Sequence, residues 1–213
     1  MAGVLLASED PRRFLPNALI QAVAYRGTSS TPEVTAAGYQ LDAADITGPL
    51  DRQVAEAFRF VSRNMRTAAR KDIGRMDFPQ YDMTAIFEAL VNAVAHRDYA
   101  SYGSKIRLRL FADRMELYSP GALANTMTVE DLPHRQAARN EVITSLLARC
   151  PIPDGLPGLK TERATIMDKR GEGVLLILQR TQALAGRLPE YWAINDEELR
   201  LVIPAANGPE DIG

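Results

Sequence analysis

Three polar side chains recur at helical spacing within an otherwise apolar segment. Glu88, Asn92 and His96 stand four residues apart within residues 84–96, which read TAIFEALVNAVAH. Residues i, i+4 and i+8 of an α-helix share one face, so the spacing predicts that the three line one stripe. A carboxylate can polarise an attacking water, and an amide oxygen one turn away can coordinate a hard cation such as Mg²⁺. The stripe therefore suits magnesium-dependent hydrolysis.

The same stripe has a second interpretation. Buried carboxylates and amides are costly unless they are paired. Glu88 and Asn92 could therefore belong to a buried polar network that ties the helix to the following loop. Ala89 and Ala93 flank them, and such small side chains leave room for a ligand to approach. The spacing alone leaves both interpretations open.

An earlier helix is predicted to begin at Asp51, after Gly48-Pro49, and to continue through Ala68. Its apolar residues recur in steps of three and four at Val54, Phe58, Val61, Met65 and Ala68. A line of arginines with the same spacing lies about 100° round the helix: Arg59, Arg63, Arg66 and Arg70. Four aligned arginines could hold the phosphates of a nucleic acid, or they could form a solvated helix face.

The remaining elements predict an α+β fold with helices on one face of a mostly antiparallel sheet. Residues 105–111 alternate apolar and basic side chains, which is the period of a half-buried strand, and residues 115–118 follow as its hairpin partner. Further elements are predicted as a short helix at 128–132, helices at 141–150 and 174–184, and a closing hairpin at 191–194 and 199–203.

Composition excludes several classes of protein. The chain has 213 residues, of which 46% are hydrophobic and 24% charged, so it is not a disordered or low-complexity scaffold. Its formal charge of −2 argues against a molecule that is a polycation overall. Cys150 is the only cysteine, and no apolar run approaches the roughly 18 residues that a membrane helix needs. We therefore expect a cytoplasmic protein with no membrane partner.

Residues 88–99, EALVNAVAHRDY, resemble a signature of bacterial proteins usually labelled transcriptional regulators or RecG-related ATP-dependent DNA helicases. The relevant part of those proteins is similar to the Bergerat (GHKL) ATPases. Weaker resemblances occur in the same order along the chain, at residues 3–16, 48–50, 115–121, 139–140 and 170–173. The resemblance implies a two-layer Bergerat (GHKL)-like sandwich. It also implies three regions: a tail of an Alba-like, Schlafen-type module over 1–50, a GHKL-like ATPase domain over 51–204, and a disordered tail over 205–213.

The resemblance also implies roles for individual residues. Glu88 corresponds to the catalytic carboxylate that orients water, and Asn92 to the asparagine that binds Mg²⁺ beside the phosphates. Gly171 and Gly173 correspond to part of a glycine-rich phosphate segment, and the stretch between Gly121 and Gly171 to a lid. The remaining predicted nucleotide-binding residues are His96, Asp98, Ser119 and Gly121.

The sequence departs from the family pattern at the base-binding turn. Ser119-Pro120-Gly121 stands where the family has an aspartate that reads the adenine amino group. Two functions remain open. The first is an ATP- and Mg²⁺-binding domain of a DNA-associated transcriptional regulator with weak ATPase activity. The second is a regulatory, DNA-binding or dimerisation module that keeps the fold without nucleotide chemistry. A homodimer is a further expectation.

Overall fold

The computed structural model describes residues 1–30, 39–71, 75–123, 127–168 and 171–206. The strands are β1 (Ile20–Tyr25), β2 (Gln40–Ile46), β3 (Thr67–Lys71), β4 (Arg75–Pro79), β5 (Ile106–Leu110), β6 (Arg114–Pro120), β7 (Glu190–Ile194) and β8 (Glu198–Pro204). The helices are α1 (Ala2–Ala7), α2 (Leu50–Asn64), α3 (Met83–His96), α4 (Glu141–Leu147) and α5 (Gly173–Ala185).

Six strands form one mixed sheet in the order β2-β1-β5-β6-β8-β7. β1 runs parallel to β5, and the other neighbouring strands of this sheet pair antiparallel. β3 and β4 form a separate antiparallel hairpin. Alternation along β5 buries Ile106, Leu108 and Leu110 under the helices and leaves Arg107 and Arg109 on the opposite face. The predicted α+β class, with a mostly antiparallel sheet, is confirmed.

The central helix of the layer on the sheet is α3. It packs between α2 and α5 and also contacts β6. The Asp82 carboxylate caps its first turn by accepting hydrogen bonds from the amides of Thr84 and Ala85 at 2.9 and 3.0 Å. Phe87 meets Phe58 of α2 edge to face at 6.1 Å between ring centroids. Because α3 is enclosed by helices and sheet, its polar stripe is held in a fixed orientation.

The predicted helix over residues 51–68 is shorter in the structure. α2 ends at Asn64, and Met65 adopts an extended conformation with ψ 149°. The chain then turns into β3, whose backbone pairs with β4 instead of continuing the helical ladder. The amide of Arg66 donates to Gln80 Oε1 at 3.0 Å, which fixes this exit. The apolar periodicity continues past Asn64 in sequence, but pairing in the hairpin overrides it.

The first fifty residues contribute two strands to the main sheet. β1 lies between β2 and β5, and α1 contacts α2 and α4. The boundary at residue 50 and the kinship of this segment to an Alba-like module stay predictions. Of the tail predicted over 205–213, Ala205 and Ala206 donate backbone hydrogen bonds to Asp113 and Gln80, and the remainder lies outside the described residues.

Residues 129–134 form hydrogen-bonded turns in place of the short helix predicted near 128–132. The Asp131 carboxylate accepts from the amide of Thr128 at 2.9 Å, which favours a turn over a helix. No helix within the described ranges combines the length and apolar character needed to cross a membrane.

Candidate functional site

The polar stripe of α3 lines a cavity of about 940 Å³. Its walls are formed by residues of α3 and α5, of β6 and β8, and of the segment between residues 121 and 173. The predicted site residues that line it are Glu88, Asn92, His96, Ser119, Gly121, Gly171 and Gly173. The structure therefore brings together residues from three separate parts of the sequence.

Gly173, the first residue of α5, lies directly against the polar stripe. A Cβ atom added there would sit 3.1 Å from both Asn92 Nδ2 and Glu88 Oε2, closer than side chains normally approach. A larger residue there would require the Asn92 and Glu88 side chains to shift by a few tenths of an ångström, so glycine lets the helix begin this near to α3 without displacing them. The first amides of a helix lack partners within the helix, and the Glu172 side chain makes no capping hydrogen bond to the described residues. The start of α5 is therefore an anion-attracting point beside Glu88 and Asn92.

Gly171 has a different reason to be glycine. Its φ of +69° lies in the left-handed region, and a Cβ atom there would overlap the carboxamide of Gln136. Gln136 belongs to the segment between Gly121 and Gly171 that the sequence predicts as a lid. The glycine turn and this segment are thus in close contact over the cavity.

Glu88 is only 3% exposed, and one of its oxygens is engaged by the protein. The Arg163 guanidinium donates a hydrogen bond to Glu88 Oε1. Burial raises the pKa of the Glu88 carboxyl above its ordinary value, and Arg163 opposes part of that rise. Glu88 Oε2 makes no hydrogen bond to any described residue, and this oxygen faces Gly173. The carboxylate is consequently half-satisfied by protein and half-open to the cavity.

Asn92 and His96 continue the stripe along the cavity wall. Both are partly buried, and within the described part of the chain the Asn92 amide makes no hydrogen bond. Burial lowers the pKa of His96 below its ordinary value, and the Arg139 charge lowers it further. A lowered pKa favours the neutral imidazole, which can donate through one nitrogen and accept through the other.

The end of β6 also lines the cavity. Ser119 Oγ donates its hydrogen to the carbonyl of Ala93 at 3.0 Å, which leaves lone pairs on that oxygen as acceptors. Gly121, with φ +118°, packs so tightly that an added Cβ atom would lie 2.9 Å from Asp98 Cβ. The amide of Asp98 also donates to the carbonyl of Pro120 at 2.7 Å.

Asp98 lies behind Gly121, outside the lining of the cavity. Its carboxylate is 3.7 Å from Arg139 Nη1 and accepts from the amide of Ala100 at 2.9 Å. Arg139 itself lines the cavity and donates to the carbonyl of Ala122. Asp98 therefore supports the wall through Arg139 instead of facing a ligand.

The arginines predicted as one stripe do not form one. Arg59 donates to Glu56 and, at 2.7 Å, to the carbonyl of Asp154. Arg63 pairs with Asp42 at 3.0 Å and lies over the Phe60 ring. Arg66 follows the end of α2 and donates to the carbonyl of Ala112, whereas Arg70 lies on β3, with its side chain outside the described atoms. None of the three described side chains lines the 940 Å³ cavity.

Sequence reasoning missed three side chains that shape the site. Arg163 holds Glu88 from 75 residues further along the chain, in a loop without periodicity. Asn140 Nδ2 donates to the carbonyls of Ala95 and Arg97 at 2.9 and 2.8 Å, closing the end of α3. Gln136 covers Gly171. No pattern in the sequence identifies Gln136 or Arg163, whereas Asn140 lies in the weaker family resemblance at residues 139–140.

The chemistry of the lining suits a phosphorylated ligand with magnesium. The volume of the cavity, about 940 Å³, is within the range of small-molecule sites. Basic and acidic side chains both line it: Lys160, Arg135, Arg139, Arg163 and Arg180 against Glu88, Glu162, Asp168 and Glu172. Among the described residues no group of three or more His, Cys, Asp or Glu side chains could hold a metal. A Mg²⁺ ion beside Asn92 would therefore take other ligands from phosphate and water, as is usual for this ion.

Comparison with known proteins adds family information. Residues 103–203 match the family described as "Putative ATP-dependent DNA helicase recG C-terminal". The match begins after α3, so it includes the glycine turn and α5 but not Glu88 or Asn92. It supports a RecG-related, ATPase-like domain over this segment, and the observed architecture fits a GHKL-like sandwich. No curated protein matches the chain.

A similar fold occurs in the crystal structure of the DIP2311 protein from Corynebacterium diphtheriae. The two share 20% sequence identity with a TM-score of 0.70, and the alignment covers 97% of this chain. This chain spans 36% of the length of that one. At this identity the similarity concerns the fold.

Proposed function

We propose that the cavity binds ATP with Mg²⁺ and that the chain is the nucleotide-binding part of a DNA-associated regulator. The observation that carries the proposal is the contact of Gly173 with Glu88 and Asn92. It joins a helix N-terminus to a carboxylate and an amide whose facing polar atoms lack partners among the described residues. Phosphate, magnesium and an attacking water require this combination of groups.

The phosphates would lie at the start of α5. The amides of its first turn, which have no partner within the helix, attract anions, and Asn92 Oδ1 is a suitable oxygen ligand for Mg²⁺. Bound Mg²⁺ would neutralise charge on the phosphate oxygens. Glu88 Oε2 is placed to accept a hydrogen bond from a water molecule and so orient it. The raised pKa of Glu88 makes this carboxylate a better base than an exposed glutamate.

The base would lie beside Ser119. Because the Ser119 hydrogen is donated to Ala93, the hydroxyl oxygen presents an acceptor to the cavity. The exocyclic amino group of adenine is a donor, whereas guanine carries a carbonyl at the same position. Ser119 therefore favours adenine without a carboxylate.

Thermal stability with added ligand tests binding directly. A ligand present at about 100 times its Kd stabilises the folded state by about 2.7 kcal/mol, so ATP with Mg²⁺ should raise Tm measurably. Glu88→Gln should retain this shift while abolishing phosphate release. An absence of any shift at millimolar ATP would contradict the proposal.

A binding module without hydrolysis is the second candidate. The observation that favours it is the Arg163–Glu88 ion pair, which lowers the basicity that burial gives to Glu88. This candidate predicts the same Tm shift with ATP but no phosphate release above the rate of Glu88→Gln. Phosphate release, measured on the wild-type protein and on Glu88→Gln, therefore distinguishes the two candidates.

The proposed DNA association rests on exposed basic side chains of α2. Arg63 remains 50% exposed despite its pair with Asp42. Contacts of this kind give affinities that fall as salt rises. Arg63→Glu should weaken binding to duplex DNA and reduce its salt dependence, while Arg135→Glu makes the same charge change on the cavity segment as a control. Equal losses in both variants would argue against α2 as the DNA-contacting surface.

A homodimer is the last part of the proposal. β7 is an edge strand, and exposed Trp192 lies on it, with exposed Leu188 just before it. An unpaired strand edge beside exposed apolar side chains favours pairing with a second copy. Light scattering should give twice the chain mass, and Trp192→Glu should return the monomer mass.

A further inference from the structure

Arg163 lines the cavity and pairs with the buried carboxylate of Glu88. Its Nη2 donates to Glu88 Oε1 and, at 3.3 Å, to the carbonyl of Ile166. Its guanidinium carbon lies 5.8 Å from the centroid of the Phe87 ring. The side chain is 21% exposed, so it is held on one side by protein while it lines the cavity on the other.

The guanidinium has hydrogen-bonding capacity left over. Arginine carries five N–H donors in a planar fork. The contacts of Arg163 use Nη2, while Nε and Nη1 donate to no residue within the described ranges. Unused donors on a cation that lines a cavity are suited to a planar or tetrahedral oxyanion.

We propose that Arg163 bridges Glu88 and the terminal phosphate of the bound nucleotide. It holds the carboxylate through Nη2 and binds a phosphate oxygen through its remaining donors. The inference rests on the proposed function, and it makes Arg163 a positioning residue that sets the spacing between Glu88 and the phosphate. Glu88 and the phosphate are both negative, so without the bridge they would repel each other across the cavity.

Two consequences follow for the protein. In the absence of nucleotide, Arg163 compensates a nearly fully buried carboxylate, and removing one partner of such a pair is strongly destabilising. When a nucleotide binds, Arg163 increases the affinity only for ligands that carry the phosphate it contacts. A residue with a structural role alone would affect adenosine and ATP equally.

The binding experiment compares adenosine, AMP, ADP and ATP with Mg²⁺ by isothermal titration on the whole chain. Arg163→Gln should lower the ATP affinity by roughly tenfold or more, and adenosine affinity by less than about twofold. Arg163→Lys should recover part of the ATP affinity because it keeps the charge. Arg180→Gln removes a charge from the same cavity without touching Glu88 and should cost ATP binding less than about threefold.

A stability measurement without nucleotide complements the titrations. Arg163→Gln should lower Tm, and adding Glu88→Gln to that variant should restore it, because the uncompensated carboxylate is then removed. The double variant should also bind ATP more tightly than Arg163→Gln alone. This design keeps a folded protein available even if the single variant unfolds.

Different outcomes distinguish a failure of the Arg163 bridge from a failure of nucleotide binding. If the wild-type chain binds none of the four ligands, the proposed function itself fails. If it binds ATP but Arg163→Gln lowers all four affinities equally, or lowers none, the bridge is overturned while nucleotide binding stands. An equal loss in Arg180→Gln would likewise reduce the effect to general charge and overturn the bridge.

Discussion

Two glutamates with the same exposure, 3% each, lie on opposite faces of the sheet. Glu116 projects from β6 away from the helices and accepts from Arg114 Nε, Arg200 Nη2 and the Tyr118 hydroxyl, each at 2.7 Å. Glu88 on α3 accepts from Arg163 alone among the described residues. Burial tends to raise both pKa values. The donors around Glu116 outweigh that effect and lower its pKa, whereas burial prevails at Glu88 and raises it.

The difference distinguishes a structural carboxylate from one left available. Glu116 has both oxygens satisfied by Arg114 and Tyr118 of its own strand and by Arg200 of the neighbouring strand β8, so it adds to the stability of the sheet. Glu88 keeps one oxygen open toward a cavity and the start of α5. Exposure alone does not separate them, because both are nearly inaccessible. The number of donors and the presence of adjacent space do.

The largest expected effect is on stability at Glu116. Glu116→Gln should lower the free energy of unfolding by about 2–3 kcal/mol, because it leaves two arginines without their shared anion. Glu88→Gln should change it by less than about 1 kcal/mol, since the neutral amide relieves burial while loosening Arg163. Urea denaturation of the two variants at pH 7 measures both values. Equal losses would abolish the distinction between the two carboxylates.

The next effect concerns the space that faces Glu88 Oε2. Gly173→Ala places a methyl group against Glu88 and Asn92, and the resulting shift should cost about 1–3 kcal/mol of stability. The same variant should weaken ATP binding by roughly tenfold or more, because the start of α5 must shift away from the place where it would contact the phosphates. Gly103→Ala is the matched control, since no atom lies within 4 Å of its added Cβ. Thermal melts and titrations of both variants provide the comparison.

The two carboxylates should respond oppositely to pH. A group with a raised folded-state pKa, such as Glu88, contributes stability below its unfolded pKa near 4.5, and this is lost as pH rises through the folded value. Glu116, with a lowered pKa, contributes stability above 4.5 that is lost as pH falls. Glu88→Gln should therefore flatten the stability profile above pH 4.5, and Glu116→Gln below it. Denaturation curves between pH 3 and pH 8 would show a reversed pattern if the assignments were wrong.

The smallest effect is expected at the base end. Ser119→Ala removes an acceptor, so the preference for ATP over GTP should fall by about three- to tenfold with little change in stability. Competition titrations of the two nucleotides measure it. Ser101→Ala serves as a control for a serine outside the lining of the cavity. An unchanged preference in Ser119→Ala would assign base selection to other residues.

The sequence was most informative where packing and periodicity agree. The stripe of Glu88, Asn92 and His96 forms as predicted because the apolar residues around it pack α3 against α2, α5 and the sheet. The arginine line failed because helical spacing continued past Asn64, whereas the chain there pairs as a hairpin. Periodicity describes a local preference and carries no information about a strand partner such as Pro79, which pairs with Thr67 across the hairpin.

Long-range contacts account for the rest of the site. The pairing of Arg163 with Glu88 depends on the course of an irregular loop, which residue types and spacing do not encode. The glycines at 171 and 173 indicated a glycine turn at the start of a helix. They did not indicate that Gly173 lies against Glu88 and Asn92 of α3. The residues of Glu116's cluster show the same limit, since Arg200 reaches it from 84 residues away.

The parallel pairing of β1 with β5 has a practical consequence. Residues 20–25 occupy an interior position in the sheet, with hydrogen-bonded neighbours on both sides. A version trimmed to start at residue 51 would leave the backbone of β5 open along one side and uncover the apolar residues beneath α2. Such a trimmed protein should aggregate when produced. Anyone shortening this polypeptide for crystallisation should keep its first two strands.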